Sequence, residues 1–315
     1  MKPMSEPVSW DDQHAFLLVF EGGSLSAAAR ALGQAQPTVR ARIEALERKL
    51  GTVLFTRSSQ GLLPTEAARA LYAHARAMAH ASDAFLRAAS ASPGQVAGTV
   101  RVAVSEFVGQ EVLPPMLARL RVRHPGLVLE VAASNSSADL TRQEADLALR
   151  MHRPSGEALV ARKLGEVALG FFAHRDYLAA RGMPNELADL TSHDLIGPDR
   201  STSDRRLAEA VLPAPVLARI VLRTDSHPGQ LAAARAGLGI AVVQRPAGLV
   251  DPTLRPVLPE LVLARLPLWL VAHRNLLDVP RVRAVFDHLA EDMGRYVRGY
   301  EQSLGPPPAL QKRNG

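Results

Sequence analysis

Four polar side chains lie on the free side of a predicted helix, and their types suit contacts with nucleic acid. They are Gln36, Thr38, Arg40 and Arg42. In the major groove of DNA, glutamine can pair with adenine and arginine with guanine, while threonine can contact a thymine methyl group or a phosphate. The same residue types are also typical of the solvated face of an isolated amphipathic helix, so the surrounding elements decide between the two interpretations.

These side chains are positioned by a pair of short helices around a glycine turn. The helical pattern stops at Gly33 and resumes at Gln36-Pro37, where proline costs little because first-turn N–H groups have no intrahelical partner. In the second helix an apolar stripe faces a core, formed by Val39, Ile43, Leu46 and Leu50. This arrangement predicts a helix-turn-helix whose second helix, Gln36 to Leu50, reads DNA.

Further contacts are predicted on the flanking elements. Ser24 and Arg30 are placed to meet the DNA backbone, and Arg57 to lie over a neighbouring groove. From Arg30 to Arg57 there are six basic residues against two acidic ones. The excess positive charge is therefore concentrated where the DNA contacts are expected.

The pattern predicts a helix before this pair and a wing and a long helix after it. The first helix runs from Asp11 to Phe20, with Asp11 or Asp12 as its cap. Val53 to Phe55 and Leu62-Leu63 form a two-stranded wing around the loop 57–61. Thr65 then caps a helix that reaches about Ala91. Its apolar seam is best explained by pairing with a second helix, and comprises Leu71, His74, Met78, Ala81, Phe85 and Ala88.

Beyond a Pro/Gly-containing boundary at residues 90–98, strands alternate with helices. This indicates largely parallel α/β structure in two sheets. The predicted strands are 99–104, 127–132, 146–150, two within 159–173, 219–223, 239–243 and 267–272. The predicted helices are 113–124, 137–144, 230–236 and 279–297, and the tail from Gly305 is expected to be disordered.

Composition narrows the class of protein. The chain has 315 residues, of which 47% are hydrophobic, so two or three domains can each bury a core. The net charge of +6 is compatible with an anionic partner. The absence of cysteine excludes disulfides and thiolate chemistry. With no signal-peptide core and no membrane-length apolar run, we expect a cytoplasmic protein that does not associate with membranes.

Catalytic and metal sites are poorly supported. Asp225-Ser226-His227 contains the residue types of a hydrolase triad, but sequence neighbours do not form triad geometry and no G-x-S-x-G turn is present. His74 and His80 are six residues apart and lie on different helix faces. Gly237-Leu238-Gly239 precedes a strand and lacks the rest of a dinucleotide fingerprint. We therefore expect no enzyme, no metal and no cofactor.

An ordered series of motifs resembles the LysR-type transcriptional regulators. In the first 70 residues it comprises Phe16, Val19, Gly23-Ser24-Leu25, Ala27-Ala28, Leu32-Gly33, Gln36-Pro37-Thr38-Val39, Ile43, Leu46-Glu47, Leu50-Gly51, Leu54-Phe55, Arg57, Leu63 and Thr65. Looser landmarks follow at Gly98 to Val102, Leu113-Pro114, His124-Pro125, Asp146 to Ala148 and Ala236 to Ala241. Together they cover roughly residues 10 to 295.

The resemblance implies an architecture of α/β type with several domains. A winged helix-turn-helix is expected at 1–64, a dimerising linker helix at 65–92 and an effector-binding domain, similar to periplasmic binding proteins, at 98–300. Its subdomain I would comprise about 98–166 plus 268–300 and its subdomain II about 167–267, with a disordered tail at 301–315. Expected partners are double-stranded DNA with an imperfect inverted repeat, a small-molecule effector, further copies in a homodimer or homotetramer, and RNA polymerase at the nucleoid.

The resemblance also implies an effector in the cleft between the subdomains. Three clusters there follow predicted strands: Ser105, Glu106 and Phe107; Ser134, Asn135 and Ser136; Thr224, Asp225 and Ser226. Hydroxyl and amide groups at helix N-termini favour a small anionic or polar ligand. Glu106 and Asp225 would oppose an anion, and ordinary helix capping is the alternative role of all three clusters.

The chain departs from the family pattern in three places. Arg40 stands where serine is usual and adds a cation to the DNA face. Ala35 replaces a serine that could cap the recognition helix, worth about 1 kcal/mol. Ala68 replaces a common glycine at the start of the linker helix. Two other functions stay open at this point: a small-molecule binding protein of the periplasmic type, and a DNA-binding regulator without a ligand.

Overall fold

The chain divides into two compact units after Ala89. The computed structural model describes residues 7–58, 61–89, 96–135, 145–154 and 159–304. The predicted boundary at 90–98 contains this division. The expected helix at 137–144 and the tail from Gly305 lie outside the described residues.

Three helices and a two-stranded wing build the first unit. The helices are α1 (Trp10–Gly22), α2 (Leu25–Leu32) and α3 (Gln36–Leu50). Strands β1 (Phe55–Ser58) and β2 (Gly61–Pro64) pair antiparallel. The bounds predicted for the recognition helix are confirmed. Arg57 belongs to a wing strand, so its assignment to the wing loop was wrong.

Capping residues set where these helices begin and end. Ser9, not Asp11 or Asp12, caps α1, because its hydroxyl accepts the N–H of Asp12. Ser24 caps α2 in the same way. Gly23, Gly33 and Gly51 adopt left-handed conformations that favour glycine and end α1, α2 and α3.

The core of the first unit is made by the inner faces of these helices. Val39, Ile43 and Leu46 of α3 are buried against apolar side chains of α1 and α2. Glu47 joins α3 to the wing, since its carboxylate accepts the N–H groups of Leu54 at 2.6 Å and Phe55 at 3.3 Å. The recognition helix is therefore held on its inner side and at its end, which leaves its outer side for contacts.

A long helix, α4 (Glu66–Ala89), follows the wing. Thr65 caps it as predicted, accepting the N–H of Ala68. Of the predicted seam, Leu71 packs against the core of the first unit, whereas Met78 is 41% and Phe85 74% exposed. Leu86 beside Phe85 is 63% exposed. An apolar stripe of this kind is the surface that a second helix would cover.

The second unit is a mixed sheet flanked by helices. Its strands are β3 (Gly98–Val104), β4 (Leu127–Ala133), β5 (Leu147–Arg150), β6 (Leu159–His174), β7 (Leu195–Gly197), β8 (Ile220–Arg223), β9 (Ile240–Gln244), β10 (Leu254–Val257) and β11 (Ala264–His273). Its helices are α5 (Leu113–Arg123), α6 (Arg175–Arg181), α7 (Thr202–Val211), α8 (Ala214–Leu217), α9 (His227–Arg235), α10 (Arg245–Val250) and α11 (Pro280–Leu304). A π-helical turn, Val108–Val112, precedes α5.

The strand order corrects the expectation of two largely parallel sheets. Hydrogen bonds connect one sheet in the order β4-β3-β5-β11-β6-β9-β7-β8, and β10 pairs with β6. Parallel pairs lie towards both ends, whereas β5, β11, β6 and β9 are joined antiparallel. The segment 159–173 is a single long strand, not two, because β6 continues from one half of the sheet into the other.

The two halves, here called lobe I (β3 to β5 with α5 and α11) and lobe II (β7 to β10 with α6 to α10), meet along β6 and β11. Their register shifts at Leu268/Trp269, opposite Gly165. Gly165 has φ +139°, and a Cβ there would lie 2.6 Å from Val297. This kink lies beside the division expected at residues 166 and 268, and it allows one pair of strands to serve both lobes.

Candidate nucleic-acid interface and ligand cleft

The outer side of α3 presents three of the predicted DNA-contacting side chains. Gln36, Thr38 and Arg40 are all exposed. None of them belongs to the buried stripe of Val39, Ile43 and Leu46. Gln36 and Arg40 are four residues apart and share a helix face, whereas Thr38, two residues from each, lies about 200° around the helix. These exposed side chains offer amide, hydroxyl and guanidinium groups to a partner, as a groove-reading helix requires.

Arg42 does not belong to this exposed group. Its guanidinium lies 3.0 Å from the carboxylate of Asp11 on α1, and its side chain is only 24% exposed. This ion pair with Asp11 directs Arg42 towards α1. Arg42 therefore makes a contact between helices, and its contact with DNA stays a prediction.

The remaining predicted residues surround α3. Pro37 lies in its first turn, and Arg30 is exposed on α2. Ser24 uses its hydroxyl oxygen to accept the N–H of Ala27 at 3.1 Å, so its first role is structural. Arg57 is exposed on β1, in the wing strand pair. Arg30, Arg40 and Arg57 are thus exposed cations on three successive elements.

The start of α3 lacks a side-chain cap. Ala35 occupies the N-cap position with φ −73° and ψ 143°, the backbone conformation of a capping residue. A serine hydroxyl at this position could accept an N–H of the first turn. The departure from the family pattern noted at Ala35 therefore leaves one stabilising hydrogen bond unmade.

Ala35→Ser is expected to raise the free energy of unfolding of the first unit by about 1 kcal/mol, because it supplies that cap. Urea denaturation followed by Trp10 fluorescence, in a Trp269→Phe background, measures the change. Ala41→Ser is the matched control, since Ala41 is exposed within the same helix and serine there lowers helix propensity. Equal shifts in both variants would contradict the capping explanation.

In the second unit, a cavity of about 660 Å³ lies between the lobes and extends under α7. Five of the nine residues predicted for the effector site line it: Ser105, Phe107, Ser134, Asn135 and Asp225. They follow the ends of β3 and β4 in lobe I and of β8 in lobe II. The sequence therefore pointed to part of the lining of this cavity.

Three of the other four predicted residues do not line the cavity, and the fourth lies outside the described residues. Glu106 instead exchanges two hydrogen bonds with Asn135. Thr224 accepts the N–H of Ser226, and Ser226 caps α9 by accepting the N–H of Gly229. Ser136 is outside the described residues. For Thr224 and Ser226, the capping alternative is the one that the contacts favour.

The carboxylate of Asp225 is bound by a group of backbone N–H donors of the kind that bind anions. Its carboxylate accepts the N–H groups of Asp199, Arg200 and Ser201 at 2.9 to 3.0 Å. These bonds, from Ser201 above all, hold the pKa of Asp225 below its ordinary value. The donors before α7 that could bind an external anion are thus satisfied by the protein's own carboxylate.

Sequence reasoning missed an ion pair at the cavity. Nε2 of His227 lies 3.1 Å from the carboxylate of Asp204 on α7, and both residues line the cavity. The hydrogen bond from Asp204 raises the pKa of His227 despite its burial. The two residues are 23 positions apart on elements of which only α9 was predicted, so spacing carried no signal for the pair.

The same contacts argue against a hydrolase triad formed by residues 225–227. Asp225 faces backbone N–H groups, Ser226 caps its own helix, and His227 faces Asp204. A nucleophile and base must lie within hydrogen-bond reach of each other, whereas these three side chains contact separate partners. The segment assembles one wall of the cavity.

Asp204→Asn is expected to lower the pKa of His227, because the charged hydrogen-bond acceptor is lost while burial, which opposes protonation, remains. Heteronuclear NMR of the imidazole nitrogens as a function of pH measures it. Glu209→Gln removes an exposed carboxylate from the same helix and should leave His227 unchanged. An unaltered titration in Asp204→Asn would refute the 3.1 Å contact.

Across the described ranges, no group of three or more His, Asp or Glu side chains could hold a metal ion. Within the same part of the chain, no helix combines the length and apolar character that crossing a bilayer requires.

Comparisons with known proteins cover both units. A family model described as a bacterial regulatory helix-turn-helix protein of the lysR family matches residues 10–69, and one described as the LysR substrate binding domain matches residues 93–294. The HTH-type transcriptional activator AaeR of Escherichia coli (strain K12) is 30% identical over 178 residues, which cover 56% of this chain and 58% of that protein. The chain spans a little over half the length of the curated relatives that it matches at this identity or above.

Solved structures agree over nearly the whole chain. The LysR-type regulator CrgA of Neisseria meningitidis is 25% identical, with a TM-score of 0.55, and the match covers 92% of this chain and 100% of that one. CbnR, a LysR family transcriptional regulator, is 20% identical with a TM-score of 0.63, covering 90% and 99%. The second likeness concerns the fold alone.

Proposed function

The chain belongs to the LysR family of bacterial helix-turn-helix regulators, and from this premise we propose that it controls transcription by binding DNA in response to a small molecule. The observation that carries the proposal is the exposed set of Gln36, Thr38 and Arg40 on a helix held by its other side. If the exposed side of α3 were only a solvated helix surface, the wing and the linker helix that accompany it would have no explanation.

Base contacts are assigned to α3 and backbone contacts to its neighbours. Gln36 and Arg40 lie on the same helix face, four residues apart, so one major groove can receive both. Arg30 on α2 and Arg57 on the wing supply cations for phosphates, which position the helix without reading sequence. Arg42 is left out of this set because Asp11 engages it.

The functional unit is proposed to be at least a dimer. The exposed apolar stripe of α4, centred on Met78 and Phe85, is suited to pairing with the same stripe of a second copy. Two-fold symmetry would present two recognition helices to successive major grooves of an imperfect inverted repeat. A tetramer would bring two such pairs onto one DNA segment.

The cavity of the second unit is proposed to bind the effector. A ligand can change DNA binding only if its affinity differs between two arrangements of the assembly. A cavity between two lobes that share β6 and β11 offers such a difference, because their relative orientation changes its walls. We assign no catalytic step to this cavity, since its polar residues are engaged in caps and ion pairs.

RNA polymerase is a further proposed partner, because a promoter-bound regulator alters transcription through the polymerase. We place the protein at the bacterial nucleoid, in the cytoplasm, since its proposed target is chromosomal DNA. Neither assignment depends on the identity of the effector.

Selection of bound duplexes from a random library by the full-length protein tests the proposal. The enriched duplexes are expected to contain an inverted repeat with half-site centres about one helical turn, or a multiple of it, apart. Enrichment that disappears with Arg40→Ala would link it to α3. A library that stays random after repeated rounds would overturn the proposal.

A further inference from the structure

Helix α7 is an amphipathic helix that contributes nothing to the hydrophobic cores. Its apolar stripe is formed by Leu207, Ala208 and Val211, and all three are only partly buried. Among the described residues of α7, none is fully buried and none belongs to a core cluster. An apolar stripe normally packs against a core, so its position here needs another explanation.

The stripe faces the cavity. Opposite it lie apolar side chains from four strands of the sheet: Leu169 and Phe171 of β6, Leu195 and Ile196 of β7, Ile220 of β8, and Ile240 and Val242 of β9. Leu263 and Leu266 also line it. This part of the cavity, here called the α7 chamber, is thus walled by a sheet below and a helix above, both apolar.

The charged groups of the cavity are engaged by the protein. Asp204 pairs with His227, and Asp225 is held by three backbone N–H groups. Arg150, which is buried, adds a cation to the cavity lining. The cavity thus holds groups of both charge signs, and the polar lining residues that follow the strand ends are small: Ser105, Ser134 and Asn135. The other polar lining residues are His152, Ser201, Ser203, Gln230 and Gln244.

We infer that the effector is an amphipathic small molecule whose apolar body fills the α7 chamber and whose single small polar end meets Ser105, Ser134 and Asn135. The inference rests on the proposed function, since it specifies the ligand of the same cavity. A volume of about 660 Å³ is that of a pocket for a drug-sized ligand, and such pockets derive most of their affinity from apolar contact.

Straight-chain primary alcohols from butanol to decanol are the probes, titrated against the full-length protein by NMR or calorimetry. Each added CH₂ group is expected to tighten binding about fourfold until the chamber is filled, since burial of one CH₂ is worth about 0.8 kcal/mol. Affinity that is independent of chain length would overturn the inference. Binding of acetate or glucose in preference to decanol would overturn it as well.

A matched pair of variants tests the location. Ala208 lines the chamber, whereas Ala210 is exposed on the other side of the same helix. Ala208→Phe is expected to weaken decanol binding on the order of tenfold, because the ring occupies ligand volume, while Ala210→Phe leaves it unchanged. Equal effects of the two substitutions would overturn the assignment to the chamber.

Leu207→Ala keeps the test decisive if Ala208→Phe does not fold. It enlarges the chamber and should move the plateau of affinity to a longer alcohol. A plateau that stays at the same chain length would count against the chamber. Binding of a selected DNA duplex is measured on the same preparations: duplex binding without chain-length dependence refutes this inference alone, and chain-length dependence without duplex binding refutes the proposed function alone.

Discussion

Gly239→Ala is expected to destabilise the second unit by about 3 kcal/mol, at the upper end of what overpacking usually costs. A Cβ at this position would lie 2.4 Å from the carbonyl oxygen of Asp194 and 2.9 Å from its carbonyl carbon. Both atoms belong to the backbone, so no rotation of a side chain can relieve the clash. The variant should therefore unfold at clearly lower urea concentration.

The clash is costly because the close approach of Gly239 to Asp194 lets β7 and β9 pair. The N–H of Ile240 donates to the same Asp194 carbonyl at 2.9 Å, which starts the parallel pairing of β7 with β9. An added methyl group must push these strands apart at the point where their ladder begins. Lobe II depends on that ladder, since β8 attaches to the sheet only through β7 among the described strands.

Urea denaturation followed by Trp269 fluorescence, in a Trp10→Phe background, isolates the second unit. The control is Gly299→Ala: Gly299 is exposed within α11 and a Cβ there meets nothing within 4 Å. Alanine at 299 should raise stability by up to about 1 kcal/mol through helix propensity. If Gly239→Ala were as stable as the wild type, the close approach to Asp194 would not exist in solution.

The local elements of this protein could largely be predicted from its sequence. The period of Val39, Ile43 and Leu46, with proline at the start and Gly51 at the end, defines α3 to the residue. Likewise, Thr65 was predicted to cap α4, and its hydroxyl accepts the N–H of Ala68. These features depend on neighbours within a few residues, where propensity and capping act strongly.

What the sequence did not predict depends on contacts between distant residues. The continuity of β6 across both lobes arises from pairing with β11, about a hundred positions later. The direction of Arg42 follows from Asp11 on another helix. Helix α7, whose apolar stripe faces a cavity instead of a core, was not predicted from the sequence. The ion pair between Asp204 on this helix and His227 was therefore not predicted either.

Arg40→Ala is expected to weaken binding of a selected duplex by about 5- to 150-fold at fixed salt, equivalent to the 1–3 kcal/mol of one bidentate contact with a base. Arg40 is exposed on the outer side of α3 and has no role in its core, so the variant should fold normally. Fluorescence anisotropy with the same duplex measures the affinity. Repeating the titration over a range of salt concentrations separates a base contact from a phosphate contact, since loss of a phosphate contact lowers the salt slope by about one.

Arg42→Ala is the matched control, because it removes the same charge from the same helix two positions away. Arg42 is ion-paired with Asp11 at 3.0 Å and directed towards α1, so its loss should change affinity little beyond the general effect of one cation. It should cost at most about 1 kcal/mol of stability, as the pair is partly exposed. If Arg42→Ala weakened binding as much as Arg40→Ala while both stayed folded, the division of α3 into a reading side and a packing side would be wrong. If only Arg40→Ala weakened binding, the affinity would depend on where the guanidinium points and not on net charge, because both variants carry the same net charge.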